Sequence, residues 1–330
     1  MPENSSVRIF VVTYKRPVLL KRALMSLINQ SHQNWKAEIL NDEPADLSVN
    51  NLIVEIGDAR IGLCENPQKR GGTGNFNYAF SKKISEEFAA ILEDDNWFEP
   101  GFLAEMLENL KNYPTVKLAI ANENIWEEKP NGEWLDLKRT IWPVSGSNYL
   151  FDFNAEQKCL GAKICNSSML WRTGNFNWLT PAEIPIDVTE HFRERIIPHP
   201  ILIISKPLVN FAVTRHTHRD SNGEWSVYQA LLIASVFENI NATERINLAK
   251  KLWARARNND KFLGTALMNA ALVSGAAKPL FQHSTPKERL HYLLTTLKRF
   301  NTFIKCLKAK QTKSQSWQFL RLNWNSGTQI

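Results

Sequence analysis

Residues 88–112 read FAAILEDDNWFEPGFLAEMLENLKN. FAAIL is an apolar run of strand length. It leads without a spacer into three acids, Glu93, Asp94 and Asp95, and Pro100-Gly101 then opens the helical pattern FLAEMLENLKN. A strand that ends in acids and hands over to a helix is one unit of an alternating α/β chain. Acids at the end of a buried strand repel each other and resist desolvation, so the turn must be solvated or charge-compensated. Two readings stand: an acidic surface turn, or a site for a hard divalent cation such as Mg²⁺ or Mn²⁺, which takes carboxylate, phosphate and water oxygens. Alternation along an extended strand puts Glu93 and Asp95 on one side and Asp94 on the other.

The same unit recurs on either side. VRIFVVTY (7–14) is a β-branched strand, Pro17 stands where a helix begins, and Leu20, Ala23, Leu24, Leu27 and Ile28 recur at helical spacing. WKAEIL (35–40) is a second strand, closed by NDEP, and NLIVEI (52–57) reads as a third. KRGGTGN (69–75) is a Gly-rich turn opening a helix to about Glu87; FAAIL is then the fourth strand and VKLAIAN (116–122) the fifth. This alternation predicts a parallel sheet covered on both faces, with ligands gathered at the carboxyl ends of its strands. NDEP and EDDN both lie at such ends.

Beyond residue 123 the pattern changes. WEEKPNGEW (126–134) predicts a hairpin around Asn131-Gly132, and ILIISKPLVNFAV (201–213) two strands meeting near Lys206-Pro207. From about Glu224 helical patterns dominate. The expected organisation is a domain over 1–220, divided at 123 into two halves, followed by a helical region over 221–330.

The 330 residues are 43% hydrophobic and 22% charged, as in an ordinary globule. Four scattered cysteines without a CxxC pair predict reduced thiols, and neither a leader pattern nor an apolar run long enough to span a bilayer is evident. The expected location is the cytoplasm, with a peripheral position at the inner face of the membrane as the second reading. The net charge of +7 is uneven: residues 281–330 hold nine Lys or Arg against the single acid Glu288, so the rest of the chain is near neutral. In ERLHYLLTTLKRFNTFIKCLKAK (288–310) apolar residues recur at roughly helical spacing among these cations, a pattern of peripheral membrane helices and equally of a packed helix with a basic outer face. Basicity confined to one end, with no reader motif, argues against nucleic-acid binding.

Several other residues are open to two readings. Asp42 in NDEP is either a turn residue or an acceptor for a ribose or base edge. KRGGTGN lacks the Gly-Lys-Ser/Thr ending of a P-loop and does not fit GxGxxG, yet its helix-start amides, with Lys69 and Arg70, suit an anion. Asp187 in IPIDVTEHF is either a helix cap or a catalytic acid. His216 and His218 in RHTHRD are surface histidines or phosphate or metal contacts.

The order of these signals resembles the family 2 glycosyltransferases, with their A-type nucleotide-sugar-binding fold, over most of residues 7–218. VVTYKRP (11–17) resembles the family's opening strand and turn without its usual proline, which implies donor contacts at Thr13, Tyr14 and Arg16. ILNDEP aligns Asp42 with the acid that binds the base. GGTGNFNYA (71–79) aligns Gly71 and Asn77 with the Gly-rich helix start; Phe76 replaces a frequent Arg, shifting diphosphate contacts to Lys69 or Arg70. ILEDDNWFEPGFL resembles the DxD strand, implying Asp95 and Glu93 as ligands of Mn²⁺ or Mg²⁺, with Asp94 toward the donor. NSSMLWR (166–172) resembles the segment beside the acceptor. DVTEHFRER has the spacing of the family's base motif, with Ile186 in place of a Glu; it implies Asp187 as base, with Glu190 and Glu183 behind it. KPLVNFAVTRHTHRDS (206–221) resembles the closing strand, with His216 and His218 as diphosphate or metal contacts.

The resemblance implies a metal-dependent, inverting transfer from a nucleotide-diphosphate sugar to a carbohydrate or lipid-linked acceptor in polysaccharide or glycoconjugate synthesis. Two alternatives differ in class: a nucleotidyltransferase, expected to carry glycine directly after the first strand, where TYKRP has none, and a nucleotide-sugar-binding protein without catalysis.

Overall fold

Strands form where apolar, β-branched runs can be buried on both faces. The computed structural model describes residues 5–64, 66–161, 164–174, 177–215, 225–259, 261–312 and 314–324. The first such run is β1 (Val7–Thr13), followed by α1 (Pro17–Ile28), β2 (Trp35–Asn41), α2 (Ser48–Ile56), β3 (Ile61–Leu63), α3 (Gly71–Ser81) and β4 (Phe88–Glu93). These four strands pair in parallel in the order β3-β2-β1-β4. Next come β5 (Trp97–Phe98), α4 (Phe102–Asn112), β6 (Leu118–Glu128), β7 (Trp134–Thr140), β8 (Tyr149–Phe151), α5 (Ala155–Leu160), β9 (Met169–Arg172), α6 (Thr189–Arg193) and β10 (Ile201–Val213).

The sheet continues β4-β9-β6-β10-β5, with β9 antiparallel to both neighbours and β10 parallel to β6. β7 and β8 add antiparallel pairs to β6 and β10. The fold is therefore mixed α/β, parallel in its first half and mixed in its second. Alternation along β1 sends Val7, Ile9 and Val11 to the face covered by α1, α2 and α4, where Leu20, Leu24, Leu52, Phe102 and Met106 are buried. Phe10 goes to the opposite face with Phe76, Phe80 and Trp171.

Three readings of the sequence change. The helix opened by KRGGTGN ends at Ser81, not near Glu87. NLIVEI belongs to α2, not to a strand. Val49 and Leu52, one turn apart, are buried with Ile53 and Ile56 packed beside them, and Gly57 ends the helix in the left-handed region at φ 66°. The third strand lies beyond it, at Ile61. Residues 201–213 are one strand, not two; the proline is absorbed as an irregularity, with register shifts on either side of Pro207. The hairpin at Asn131-Gly132 forms as expected between β6 and β7, with Gly132 at φ 82°.

The remaining elements are α7 (Trp225–Asn239), α8 (Ala242–Asn259), α9 (Lys261–Val273), α10 (Lys278–Gln282), α11 (Pro286–Lys298), α12 (Phe300–Gln311) and α13 (Gln315–Leu322). α7 is buried continuously from Gln229 to Phe237, the mark of a central helix. Its core also takes in Cys159, Ile184, Val188 and Phe192, so the C-terminal helices pack directly on the segment that precedes β10. Among the described residues no helix is long and apolar enough to cross a membrane.

Candidate active site

The register of the parallel strands builds the site. Thr13 pairs with Asn41, and Val12 with Glu93, so β1, β2 and β4 end level with one another. The first residues beyond the ladder stay attached to it: the Asp42 amide donates to the Thr13 carbonyl and the Asp94 amide to that of Val12, both at 3.0 Å. The acids thus stand along one sheet edge.

The structure groups the three acids of β4 differently from strand alternation. The strand stops at Glu93 and the chain turns at Asp94-Asp95, so period-two logic does not extend to Asp95. Asp94 is 4% exposed, and its Oδ2 accepts from the Thr13 hydroxyl (2.8 Å) and the Tyr14 amide (3.3 Å). Arg16 Nη1 bridges Asp95 Oδ2 at 2.8 Å and Asp94 Oδ1 at 3.3 Å. Burial raises the Asp94 carboxyl to about 6 despite that guanidinium. Glu93 turns away from this pair: its Oε2 accepts from the Ser167 hydroxyl (2.8 Å), Asn96 Nδ2 (3.2 Å) and the Cys165 thiol (3.4 Å). Desolvation, with Asp95 close by, lifts it to about 7.

The Gly-rich helix start is held from two sides. Asp42, also 4% exposed, accepts the Arg70 and Gly71 amides on Oδ1, both at 2.9 Å, and so ties the end of β2 to α3. On the other side, Thr73 donates to the Ile184 carbonyl at 2.7 Å. Asn77 exchanges bonds with the Thr180 backbone at 2.8 and 3.0 Å, which makes it a brace between segments. A Cβ on Gly72 would meet the Ile186 side chain at 3.0 to 3.2 Å, so glycine is what allows this approach. Ile186 begins the 3-10 turn Ile186–Val188, which sets the half-buried Asp187 beside the helix start. Glu183 is engaged elsewhere, accepting the Ser316 amide and hydroxyl at 2.9 Å each.

Behind Glu93 lies a nest of carboxyls. Glu190 Oε1 accepts the Asn166 amide (3.2 Å) and Nδ2 (3.1 Å); desolvation and the neighbouring Glu93 push it to about 8. Glu123 is fully buried, neither oxygen makes a hydrogen bond of normal geometry, and burial with Glu190 and Glu93 nearby pushes it to about 8. These folded-state values lie above the ordinary 4.5. The stability they support is therefore complete below the unfolded pKa and is lost as pH rises through 7 to 8. Glu123→Gln should remove its share: thermal unfolding from about pH 6 to 9 should fall less steeply than in the wild type, leaving the variant more stable at pH 9 by on the order of a few kcal/mol. Equal destabilisation at every pH would show that Glu123 is ionised and paired.

The rim is basic. Lys69 lies 4.2 Å over the Tyr14 ring and Lys15 5.2 Å from it, and together they lower the exposed phenol's pKa. Arg70 stacks on Tyr78 at 4.1 Å. The structure therefore collects Thr13, Tyr14, Arg16, Asp42, Lys69, Arg70, Gly71, Glu93, Asp94, Asp95 and Asp187 around one edge, with Asn77 beneath them as a brace. His216 and His218 lie outside the described residues. Sequence reading missed Arg22, whose Nη2 donates to the Asp95 carbonyl at 2.6 Å while its guanidinium lies between Trp97 (3.9 Å) and Trp134 (4.1 Å). Desolvation there lowers it to about 10. The abundance of tryptophan was the only available hint. Glu123 was missed as a site element too, because its role depends on the packing of β6 beside β9; Asn166 and Ser167 belong to the NSSMLWR segment singled out from the sequence, but their bonds to Glu190 and Glu93 were not foreseen.

Among the described residues, no group of three or more His, Cys, Asp or Glu side chains could by itself hold a metal ion. A cation here would need donor oxygens as well, which is how Mg²⁺ is usually held: one or two carboxylates plus phosphate and water. Asp95, whose carboxylate already sits against the cationic Arg16, fits that role.

The glycosyl transferase family 2 model matches residues 8–156. Over those residues the chain is similar to that family. The match includes the Gly-rich helix start and the acids of β4 and ends before Asp187. The chain is 25% identical over 126 residues to the Escherichia coli (strain K12) protein named as a colanic acid biosynthesis glycosyl transferase, WcaA. That alignment takes 38% of this chain and 45% of the relative, so the chain matches about half of that relative's length. In fold it is similar to S. aureus TarS 1-349 in complex with UDP, with a TM-score of 0.58 and 11% identity, covering 94% of this chain and 92% of that one. TarS 1-349 in complex with UDP-GlcNAc gives a TM-score of 0.56 at 12% identity, over 93% and 92%. The likeness to these two structures extends over more than nine-tenths of the chain and concerns the fold alone.

Proposed function

We propose that the chain transfers a sugar, with inversion, from a nucleotide-diphosphate sugar to the hydroxyl of a carbohydrate or lipid-linked acceptor, in polysaccharide or glycoconjugate synthesis. The observation that carries this reading is the convergence of Asp42, Asp95 and the Lys69-Arg70 helix start on one sheet edge with Asp187 beside them. Within a family 2 domain, that edge is where a nucleotide diphosphate would lie.

Lys69, Arg70 and the positive end of α3 would meet the diphosphate. Asp187 would accept the proton of the acceptor hydroxyl as that oxygen attacks the anomeric carbon, and the bond from that carbon to the diphosphate breaks on the opposite side. The new glycosidic bond takes the attacking oxygen's electron pair, and the nucleoside diphosphate leaves with the pair of the broken bond. Asp95, with Glu93 nearby, would hold Mn²⁺ or Mg²⁺, which supplies positive charge against the departing diphosphate. Arg16 already contributes a fixed cation at the same carboxylates. A lipid-linked acceptor would bring the reaction to a membrane surface.

A panel of nucleotide-diphosphate sugars with Mn²⁺, read by thermal unfolding and by donor hydrolysis, tests this reading. One donor should raise the unfolding temperature, since a ligand at about 100 times its Kd adds roughly 2.7 kcal/mol. Turnover of nucleoside triphosphates with pyrophosphate release, and no response to any sugar donor, would instead establish nucleotidyl transfer.

A further inference from the structure

We propose that the outward face of α11 and the start of α12 form a docking surface for an anionic lipid bilayer. α11 is amphipathic in an inverted sense. Its inner face holds Tyr292 and Leu293 against the helical core. Thr296 donates to Asn269 Oδ1 at 3.0 Å, and Tyr292 lies so close to Gly264 that a Cβ there would meet its ring at 2.1 Å. These contacts fix the helix's rotation and leave Leu290, Leu294 and Leu297 facing outward, 64%, 48% and 64% exposed. They recur at i, i+4 and i+7, a single apolar ridge, and Phe300 at the start of α12 extends it at 51% exposed. Scattered exposed leucines need no explanation, whereas a ridge of three on one stripe calls for a cover.

Charge identifies the cover. Lys287, Lys298, Arg299 and Lys305 are exposed around the ridge. The one acid of the segment, Glu288, is taken by Arg257 through two bonds of 2.8 and 3.0 Å, and the guanidinium pulls its pKa down to about 2. The ridge is thus rimmed by cations, and the one acid of α11 and α12 is already paired. A second copy of the chain docked on the same face would set these cations against their own counterparts. A nucleic acid would satisfy the charges and leave the leucines wet. An anionic bilayer satisfies both, with leucines entering the headgroup boundary and Lys and Arg resting on lipid phosphates. This surface shares with the transfer reaction only the idea of a membrane-bound acceptor and does not depend on that chemistry.

Co-sedimentation of the full chain with phosphatidylcholine vesicles, with and without phosphatidylglycerol, tests the proposal without donor or acceptor. The chain should bind only vesicles containing phosphatidylglycerol. The variant Leu290→Gln/Leu294→Gln/Leu297→Gln should lower partitioning about tenfold or more while its thermal unfolding stays that of the wild type, because the three side chains face solvent. Lys298→Gln/Arg299→Gln should weaken binding by a similar factor and flatten its dependence on salt. No binding by the wild type, or equal binding by the leucine variant, overturns the proposal. A self-associated wild type that the leucine variant converts to monomer, with vesicle binding unaffected, would assign the ridge to a second copy instead.

Discussion

Asp187→Asn should lower the rate of sugar transfer by about 10² to 10⁴, the range a general base contributes, while leaving donor affinity nearly unchanged. The amide keeps the shape of the side chain and cannot take the proton. Glu190 is the informative control. Its carboxyl is pushed to about 8 by desolvation and by Glu93, so at neutral pH it is mostly protonated and poorly placed to take a further proton. It is also engaged by Asn166 from below. Glu190→Gln should therefore reduce transfer far less than Asp187→Asn. The reverse ranking, with donor binding intact in both variants, would move the base to Glu190. Separate measurement of donor binding by calorimetry keeps loss of chemistry distinct from loss of the site.

The second large effect belongs to Asp95. Asp95→Ala should abolish the Mn²⁺-dependent part of donor binding and lower transfer on the order of a thousandfold, since a cation at a departing diphosphate stabilises the transition state by several kcal/mol. Two further consequences follow from the geometry. Arg16 loses its 2.8 Å partner and keeps only the 3.3 Å contact with Asp94. Glu93 loses a neighbouring negative charge that helps hold its pKa up, so it should titrate lower in the variant. Donor binding that is equally tight in the wild type and in Asp95→Ala, with and without Mn²⁺, would assign the charge compensation to Arg16 and remove the cation from the reaction.

How far the sequence foretold the molecule depended on the range of the interactions involved. The alternation of strand and helix up to β4 is written in local apolar runs and in the Pro and Gly that punctuate them, and so was legible. So was the convergence of NDEP and EDDN, because parallel strands in register must end together. NLIVEI misled because β-branched residues favour strands, and only the burial of Val49 and Leu52 on one helix face reveals α2. The pairing of the acids misled for a different reason: alternation holds only while the strand lasts, and β4 ends at Glu93, two residues short of Asp95. Arg22, Glu123 and Ser167 acquire meaning only through neighbours 73, 67 and 74 positions away in the chain (Asp95, Glu190 and Glu93), and no local pattern announces those.

The bond pair from Ser316 to Glu183 bears on how this chain can be dissected. α12 and α13 place Cys306, Trp317 and Leu320 in the same buried cluster as Ile184, Val188 and Phe192, on either side of Asp187. The tail is thus a buttress behind Asp187, and shortening the chain before α12 would lay bare the back of the segment that carries it. The proposed lipid surface and the proposed base are joined through one buried cluster, so they can be told apart by changing side chains on the outer surface and not by cutting the tail away.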